Sequence, residues 1–162
     1  MATSEMVKKY KIAPFFNAGT SSSPEWVRIR KSTAFDLQMN GETQDFDSID
    51  HAIPSTELMK FKPSLSQALT MYKGEPDYEY VFDKFYNLAT GSEAKTEFLL
   101  VFFQEETSGS YKAWKTDGII VPTDLNSVDS TLSFECYFNG KVKKGTVTVT
   151  EDGTPSFTPV SA

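Results

Sequence analysis

The sequence predicts a mainly β protein, an antiparallel β-sandwich or barrel-like domain with one flanking α-helix. Two observations support this class. Apolar and polar residues alternate with a period of two along most of the chain, as they do in strands that bury one face. A period near 3.6 occurs once, at about residues 76–90. The chain has 162 residues, the length of one domain, so we assign residues 1–162 to a single domain.

The first predicted strands lie in the N-terminal third. From Glu25 to Ser32 the alternation places Trp26 beside two arginines on one face and apolar residues on the other. The next strand begins at Phe35 and ends at Asn40-Gly41. This pair favours a hairpin turn because both residues tolerate positive φ, so we expect the segment Glu42–Asp47 to return as the partner strand.

A long loop is predicted after this hairpin. Periodicity is lost from Ser48 to Lys60, and with its flanks the acidic loop spans residues 45–61. Loops of this length are uncommon in compact domains and are often functional. The alternation resumes from Phe61 to Met71, which predicts a strand, and Pro63 is typical of an edge or entry position.

The helix is predicted over Pro76–Thr90. Pro76 suits the first turn, Asp77 and Glu79 lie where the helix dipole favours negative charge, and Gly91 is placed as a C-terminal stop. Apolar residues at helical spacing predict one buried face. Its members are Tyr78, Val81, Phe82, Phe85 and Leu88.

Further strands are predicted after the helix. The stretch Thr96–Glu105 is apolar at successive positions, which predicts a central strand covered on both faces. The others are expected over Tyr111–Pro122, Ser130–Phe138 and Gly145–Thr150. We assign residues 1–23 and 151–162 to extended terminal arms.

Composition excludes several classes of function. Lys and Arg number 16 against 22 Asp and Glu, and the formal net charge of −6 disfavours binding to nucleic acid through its phosphates. A single cysteine excludes an internal disulfide, and a single histidine excludes a multi-histidine metal site. The sequence contains no nucleotide-binding, nucleophile-elbow or EF-hand motif. We therefore predict no enzymatic activity, no metal and no cofactor.

Hydropathy bears on where the protein acts. The N-terminal sequence MATSEMVKKYKIAPFF contains no apolar stretch long enough for a signal peptide. No other segment approaches the length of a membrane span. We therefore expect a soluble protein made in the cytoplasm, with no membrane partner.

Two sets of residues carry potential chemistry. Asp45, Asp47, Asp50 and His51 could bind a hard cation or place a base beside acids. A solvated acidic loop explains them more simply, because a site requires converging geometry. Cys136 alternates with apolar residues and is predicted to be a buried small hydrophobe rather than a reactive thiol.

Charge is distributed unevenly along the chain. Residues 1–31 contain six Lys or Arg and two Glu, whereas residues 36–57 contain six acidic residues and no Lys or Arg. Basic and acidic patches on one subunit favour head-to-tail contacts, which can build rings and stacks. The pattern therefore indicates assembly.

Motifs between Thr56 and Val81 resemble those of a known family. They are Thr56-Glu57, Phe61-Lys62-Pro63 and Tyr72-Lys73-Gly74-Glu75-Pro76, followed by an aromatic-rich helix. The segment Phe138–Val149 also resembles that family's last hairpin, and the order of elements agrees over nearly the full length. By these motifs the chain resembles the major tail tube proteins of long-tailed, siphovirus-type bacteriophages, which share their fold with type VI secretion tube proteins.

The resemblance implies a structural virion protein without an active site. Six copies would close a ring by joining their sheets, and the homohexameric rings would stack into a hollow tail tube around the tape measure protein. DNA would pass through the tube without specific binding. Other implied partners are the tail terminator and the distal tail or baseplate proteins. The implied location is the tail of a virion assembled in the host bacterial cytoplasm.

The resemblance also suggests roles for particular residues. We expect the acidic loop to reach the next ring of the tube. Its candidate contact residues are Asp45, Asp47, Asp50, His51, Glu57 and Phe61. We also expect an acidic lumen, for which Asp36 and Glu42 on the predicted hairpin strands are the candidates.

Two other functions stay open at this point. An exposed Trp26 or Trp114 on a sheet face would suit a monomeric β-sandwich module that binds carbohydrate or protein. The acidic loop with His51 would suit an enzyme. The tail tube hypothesis explains the charge asymmetry as well as the motifs, and we rank it above both.

Overall fold

Strands dominate the described part of the molecule. A computed structural model describes residues 4–20 and 22–160. The strands are β1 (Ile12–Asn17), β2 (Trp26–Arg28), β3 (Ser32–Gln38), β4 (Glu42–Phe46), β5 (Ser55–Lys60), β6 (Ser64–Thr70), β7 (Lys95–Thr107), β8 (Ser110–Asn126), β9 (Thr131–Phe138), β10 (Lys143–Val149) and β11 (Pro155–Pro159). The helix is α1 (Pro76–Tyr86), and short 3-10 turns lie at Lys9–Lys11 and Gly91–Ala94.

Nine of the described strands form one antiparallel sheet. Its order is β2-β1-β7-β8-β9-β6-β3, with β10 beside β8 and β11 beside β10. The 17-residue β8 allows this branching: one edge pairs with β7, and the other pairs with β10 along its first half and β9 along its second. The sheet curls into a half-barrel, so the predicted mainly β, barrel-like class with one helix is confirmed.

Apolar side chains cover both faces of this sheet. On one face the Phe16 ring lies 5.2 Å from that of Phe98, centroid to centroid, and Val81 of α1 packs into the same cluster. On the other face Val147 of β10 is buried with Leu99 in a second cluster. The two clusters lie on opposite faces because successive strand residues point in opposite directions.

The strand β7 is the central strand predicted from the sequence. It pairs with both β1 and β8, and the four successive residues 98–101 are 0% exposed. Burial of successive side chains requires cover on both faces of the sheet. The alternation predicted for β9 is also confirmed, since Leu132, Phe134, Cys136 and Phe138 are all buried.

The two predicted terminal arms are wrong over much of their length. Within residues 1–23, β1 lies between β2 and β7 with Phe15 and Phe16 buried. Its sequence IAPFFN is apolar at consecutive positions, so period-two alternation does not reveal it. Within residues 151–162, β11 pairs with β10. Positions 1–3, 21 and 161–162 lie outside the described residues.

The segment 138–149 does not form the hairpin that the resemblance suggests. Instead of pairing with β9, β10 pairs with β8 on one edge and β11 on the other. Gly145 permits the second pairing: a Cβ at this position would lie 2.3 Å from the carbonyl oxygen of Thr158. The close approach of two backbones therefore explains this glycine.

The helix ends four residues earlier than predicted, at Tyr86 rather than Thr90. Leu88 lies beyond it with a φ of 49° and is 80% exposed, so its prediction as a core helix residue is wrong. The N–H of Ala89 donates to the carbonyl of Lys84, which is the 6→1 bond of a Schellman cap. Leucine occupies the left-handed position where glycine is preferred.

The other predicted helix residues line one face to different depths. Val81 is fully buried, and Tyr78 and Phe85 pack half-buried against the first cluster. Phe82 is half-buried, and its ring lies 5.4 Å from that of Tyr78. The sequence missed Asp77 as a buried residue: its carboxylate accepts backbone N–H bonds from the chain preceding β3.

The helix cap yields a stability prediction. Leu88→Gly is expected to raise the free energy of unfolding by about 0.5–1 kcal/mol, because glycine adopts the left-handed conformation without the steric cost that a Cβ incurs. Urea denaturation followed by circular dichroism measures the change. Leu88→Ala is the control: it keeps the Cβ and should leave stability nearly unchanged. A Leu88→Gly variant less stable than Leu88→Ala would contradict the assignment.

Candidate assembly surface

The predicted acidic loop is a projecting β-hairpin. Strands β4 and β5 form a separate two-stranded sheet, with residues 47–54 as its tip. Residues 55–60 are therefore a strand, and the prediction of a continuous loop over 45–61 is wrong. The polar sequence and Pro54 suggested a loop, but exposure of both faces removes the alternation that identifies a strand.

The hairpin continues strands of the main sheet. The strand β3 pairs with β6 rather than with β4, so the predicted pairing of residues 35–39 with 42–47 is wrong. At the junction the N–H of Lys62 donates to the carbonyl of Met39, 3.1 Å away. Residues 32–70 therefore form one long bent hairpin that leaves the body of the domain after residue 41.

Polar contacts across the hairpin hold its two strands together. Thr56 Oγ1 donates to a carboxylate oxygen of Asp45 at 2.6 Å, and Lys60 Nζ lies 3.3 Å from Glu42 Oε2. Both pairs are exposed, so each contributes less than about 1 kcal/mol. A strand of this length extends about 17–20 Å, which places the tip well beyond the body.

Large apolar side chains are exposed along the hairpin. Ile49 and Ile53 at the tip are 107% and 77% exposed, and every residue of β4 and β5 is exposed. The other exposed apolar residues here are Phe46, Leu58, Met59 and Phe61. None of them belongs to either apolar cluster of the body. A two-stranded hairpin is marginal on its own in water, so these exposed apolar residues make the hairpin a candidate interaction surface.

The candidate contact residues all lie on or beside this hairpin. Asp45 is on β4, Glu57 is on β5, and Asp47 and Asp50 are in the tip. His51 Nδ1 lies 2.9 Å from Asp50 Oδ1, and both side chains are exposed. Within residues 4–20 and 22–160 no three His, Cys, Asp or Glu side chains converge into a metal-binding group.

Phe61 closes the base of the hairpin. Its ring and the side chain of Leu58 lie over Gly41, where a Cβ would be 3.0 Å from Leu58 Cδ1. A larger residue at position 41 would therefore have to displace the end of the Leu58 side chain slightly. The φ of Gly41 is not positive, whereas that of Asn40 is 48°. A two-residue hairpin turn of type I′ requires positive φ at both positions, which is why the predicted turn does not form here.

A polar face on the main sheet contains one lumen candidate. Asp36 on β3 lies in register with Ser66 on β6, which lies in register with Glu135 on β9. Ser66 Oγ donates to Glu135 at 3.4 Å, and Tyr137 also donates to Glu135, which raises the pKa of Tyr137. The next row consists of the small residues Ala34, Ala68 and Ser133.

The two acidic candidates are therefore separated. Glu42 lies on β4 of the hairpin, not on this face, and is paired with Lys60. Glu135 takes its place beside Asp36. Its signal was present in the sequence, because the alternation that buries Cys136 directs Glu135 to the opposite face.

Both ends of the main sheet are open within the described residues. The strand β3 pairs only with β6, and β2 pairs only with β1. Their outer edges present unpaired backbone groups, which soluble proteins normally cover, shorten or pair with another chain. The three-residue β2 is a short edge, whereas the seven-residue β3 is a long one.

The two tryptophans and the cysteine are packed against other side chains of the subunit. Trp114 is half-buried with its ring edge-on to Phe102, at 5.4 Å between centroids. Trp26 is also half-buried, with Lys115 Nζ 5.9 Å from its ring centroid. Burial raises the pKa of Cys136 to about 12, so its thiol stays protonated at neutral pH, as expected of a core residue.

Among the described helices, none is both long and apolar enough to cross a membrane.

Two solved structures have a similar fold. One is a chain from the tail of an empty GTA particle, computed with helical refinement and C6 symmetry: TM-score 0.59, 14% sequence identity, covering 85% of this chain and 97% of that chain. The other belongs to the tube-terminating cap of the anti-feeding prophage: TM-score 0.57, 12% identity, covering 90% and 95%. No family model and no curated protein matches the sequence. At these identities the likeness establishes the fold.

Independence of the hairpin from the body yields a second prediction. Replacing Ile49 and Ile53 together by serine is expected to change the free energy of unfolding by no more than about 0.5 kcal/mol, because neither side chain is buried. Leu69→Ala on β6, where the side chain is 0% exposed, should cost about 2–5 kcal/mol. Urea denaturation of the three proteins measures both effects. A large loss in the double variant would show that the tip packs on its own subunit.

Proposed function

We propose that this chain is a structural subunit that polymerises as stacked hexameric rings into the hollow tail tube of a siphovirus-type phage or phage-like particle. The observation that carries the proposal is the projecting hairpin. Its apolar side chains are exposed and belong to neither apolar cluster of the described subunit, so they are available to another copy. The role is structural and uses no catalytic site.

Ring closure would satisfy the open sheet edges. The free edge of β3 beyond residue 35 can pair with the sheet of a neighbouring copy, which removes unpaired backbone groups from solvent. A head-to-tail contact that repeats from copy to copy closes a ring when the rotation between neighbouring copies is a whole-number fraction of 360°. The sixfold symmetry of the similar GTA tail supports six copies per ring.

The polar face of β3, β6 and β9 suits the lumen of such a tube. Asp36 and Glu135 lie in one row on it, and one of the two neighbouring rows carries the small residues Ala34, Ala68 and Ser133. Acidic residues repel the DNA backbone, so DNA would slide past them without binding. Glu42, ion-paired on the hairpin, is better placed for contacts between rings.

In such a particle the subunit would contact other tail proteins. The lumen would hold the tape measure protein during assembly, a tail terminator would close one end, and distal tail or baseplate proteins would form the other. The protein would be assembled in the host bacterial cytoplasm and would remain in the virion tail.

The alternatives have less support. A carbohydrate-binding module needs an exposed aromatic platform, whereas Trp26 and Trp114 are each half-buried against neighbouring side chains. An enzyme built on His51 needs a converging site, whereas His51 and its partner Asp50 are exposed at the hairpin tip. Neither observation favours a second candidate function.

Electron microscopy tests the proposal directly. Concentrated protein at low salt, with and without a tail initiator complex, is expected to form rings or tubes. The Ile49→Ser, Ile53→Ser variant should reduce the pelleted polymer at least about tenfold, because each buried isoleucine stabilises a contact by about 1.5–3 kcal/mol. Val128→Ser, at a site 90% exposed in another turn, is the matched control and should polymerise normally. A wild-type protein that stays monomeric under all these conditions would refute the proposal.

The lumen assignment has its own test. In a cryo-EM map of the assembled tube, the carboxylates of Asp36 and Glu135 are expected to face the channel, and the channel potential should be negative. Both residues lie on one sheet face, so they should be found together on the inner or the outer wall. Finding them on the outer wall, or a positive channel, would reject the assignment while leaving the tube itself intact.

A further inference from the structure

The half-barrel leaves a cleft between its two ends. The cleft lies between the segment 9–14, which includes the start of β1, and the segment 28–35, which leads into β3. Its volume is about 780 Å³. Because β1 and β3 are not paired with each other, the two segments leave the curled sheet open at this position.

A buried amide on β6 lines this cleft without a partner. Gln67 is 3% exposed, and neither its Nε2 nor its Oε1 has a hydrogen-bond partner among the described residues. A buried amide that makes no hydrogen bond typically costs about 1–3 kcal/mol. Such groups are rare in folded proteins, and one that faces a cleft indicates that something else completes its hydrogen bonds.

Four of the five charged residues around the cleft are basic. They are Lys9, Arg28, Arg30 and Lys31, against the single carboxylate of Glu75. None of these four cations lies in an ion pair within the described residues. Burial lowers the pKa of Arg28, and the nearby charge of Arg30 lowers it further, which reflects cations crowded together.

The hairpin tip has the complementary chemistry. The segment from Asp45 to Glu57 carries four carboxyl residues and no Lys or Arg, and two of the four, Asp47 and Asp50, lie in the tip itself. The tip is exposed and carries two unburied isoleucines. Within one subunit the hairpin packs in neither apolar cluster, so its acidic tip is available to a second copy.

We infer that the basic cleft of one subunit receives the acidic hairpin tip of a second copy, with the Gln67 amide bonding the inserted chain. This inference rests on the proposed function and specifies which surface of the next ring the hairpin contacts. Opposite charges orient the approach, and the isoleucines of the tip lose their exposure on docking. Repeated from one ring to the next, the contact is head-to-tail, with the tip of each copy entering the cleft of the following one.

Charge reversal with rescue tests the pairing. The tip variant is Asp47→Lys with Asp50→Lys, and the cleft variant is Lys9→Glu with Arg30→Glu, whose side chains form no hydrogen bond or ion pair in the described structure. Each variant alone is expected to reduce pelleted polymer at least about tenfold, since like charges then face each other. Combining all four substitutions should restore polymer to within about threefold of the wild type.

Two further proteins separate the pairing from general effects. Lys141→Glu with Lys143→Glu makes the same charge change on exposed residues elsewhere and should leave polymer unchanged. Gln67→Met removes the two unpartnered polar atoms, so it should preserve or raise the melting temperature of the subunit while reducing polymer at least about threefold. Circular dichroism before assembly verifies that each variant is folded.

The outcomes are distinct. Loss in both reversed variants with recovery in the combined protein supports the pairing. No recovery, or normal polymer in the cleft variant, overturns it while wild-type tubes still support the proposed function. If Gln67→Met forms a normal amount of polymer, the Gln67 amide does not bond the inserted tip. The proposed position of the tip beside Gln67 would then be wrong. A wild-type protein that never polymerises would remove the proposed function and this inference together.

Discussion

Burial of β7 on both faces is the constraint on which the rest of the structure depends. Four successive residues of this strand are fully buried, so one sheet face must be covered by α1 and the other by β10 and β11. The helix and the C-terminal strands are both used for this purpose. No further element of the described chain is left to cover the hairpin or to close the cleft between β1 and β3. The surfaces that stay open are therefore consequences of how the core is built.

The same constraint explains why the candidate assembly surfaces are concentrated in residues 9–70. This part of the chain holds the open edges of β2 and β3, the projecting hairpin and the basic cleft, whereas the open edge of β11 lies near the C-terminus. The part after residue 90 makes the central strands and is largely satisfied within the subunit. A mutation in β7 would act through folding, whereas one at the hairpin tip would act through association, and the two effects are separable by measurement.

Much of the fold could be predicted because period and sheet burial are local properties. The central strand β7, the buried side of β9 and the single helix all follow from residues adjacent in sequence. Pairing is not local, and there the prediction failed. Asn40-Gly41 looks like a turn, but β3 is fixed beside β6 by burial of Leu37 against Leu65, with Met39 and Lys62 bonded across the junction. No property of the turn residues reveals that partner.

Only one half of the candidate surface was predictable. The acidic hairpin could be recognised from the charge pattern of one segment, whereas the basic cleft could not. Clustered acids in residues 45–57 single out the segment that projects as a hairpin, although its predicted loop structure was wrong, because charge pattern does not depend on whether a segment is loop or strand. The basic counterpart is assembled from Lys9 and from residues 28–31, which only the curling of the sheet brings together around Gln67. An acidic feature on one segment can be recognised from the sequence. A cleft built from three separate segments can be recognised only from the folded structure. Complementary surfaces within one chain are therefore found only when both are placed in space.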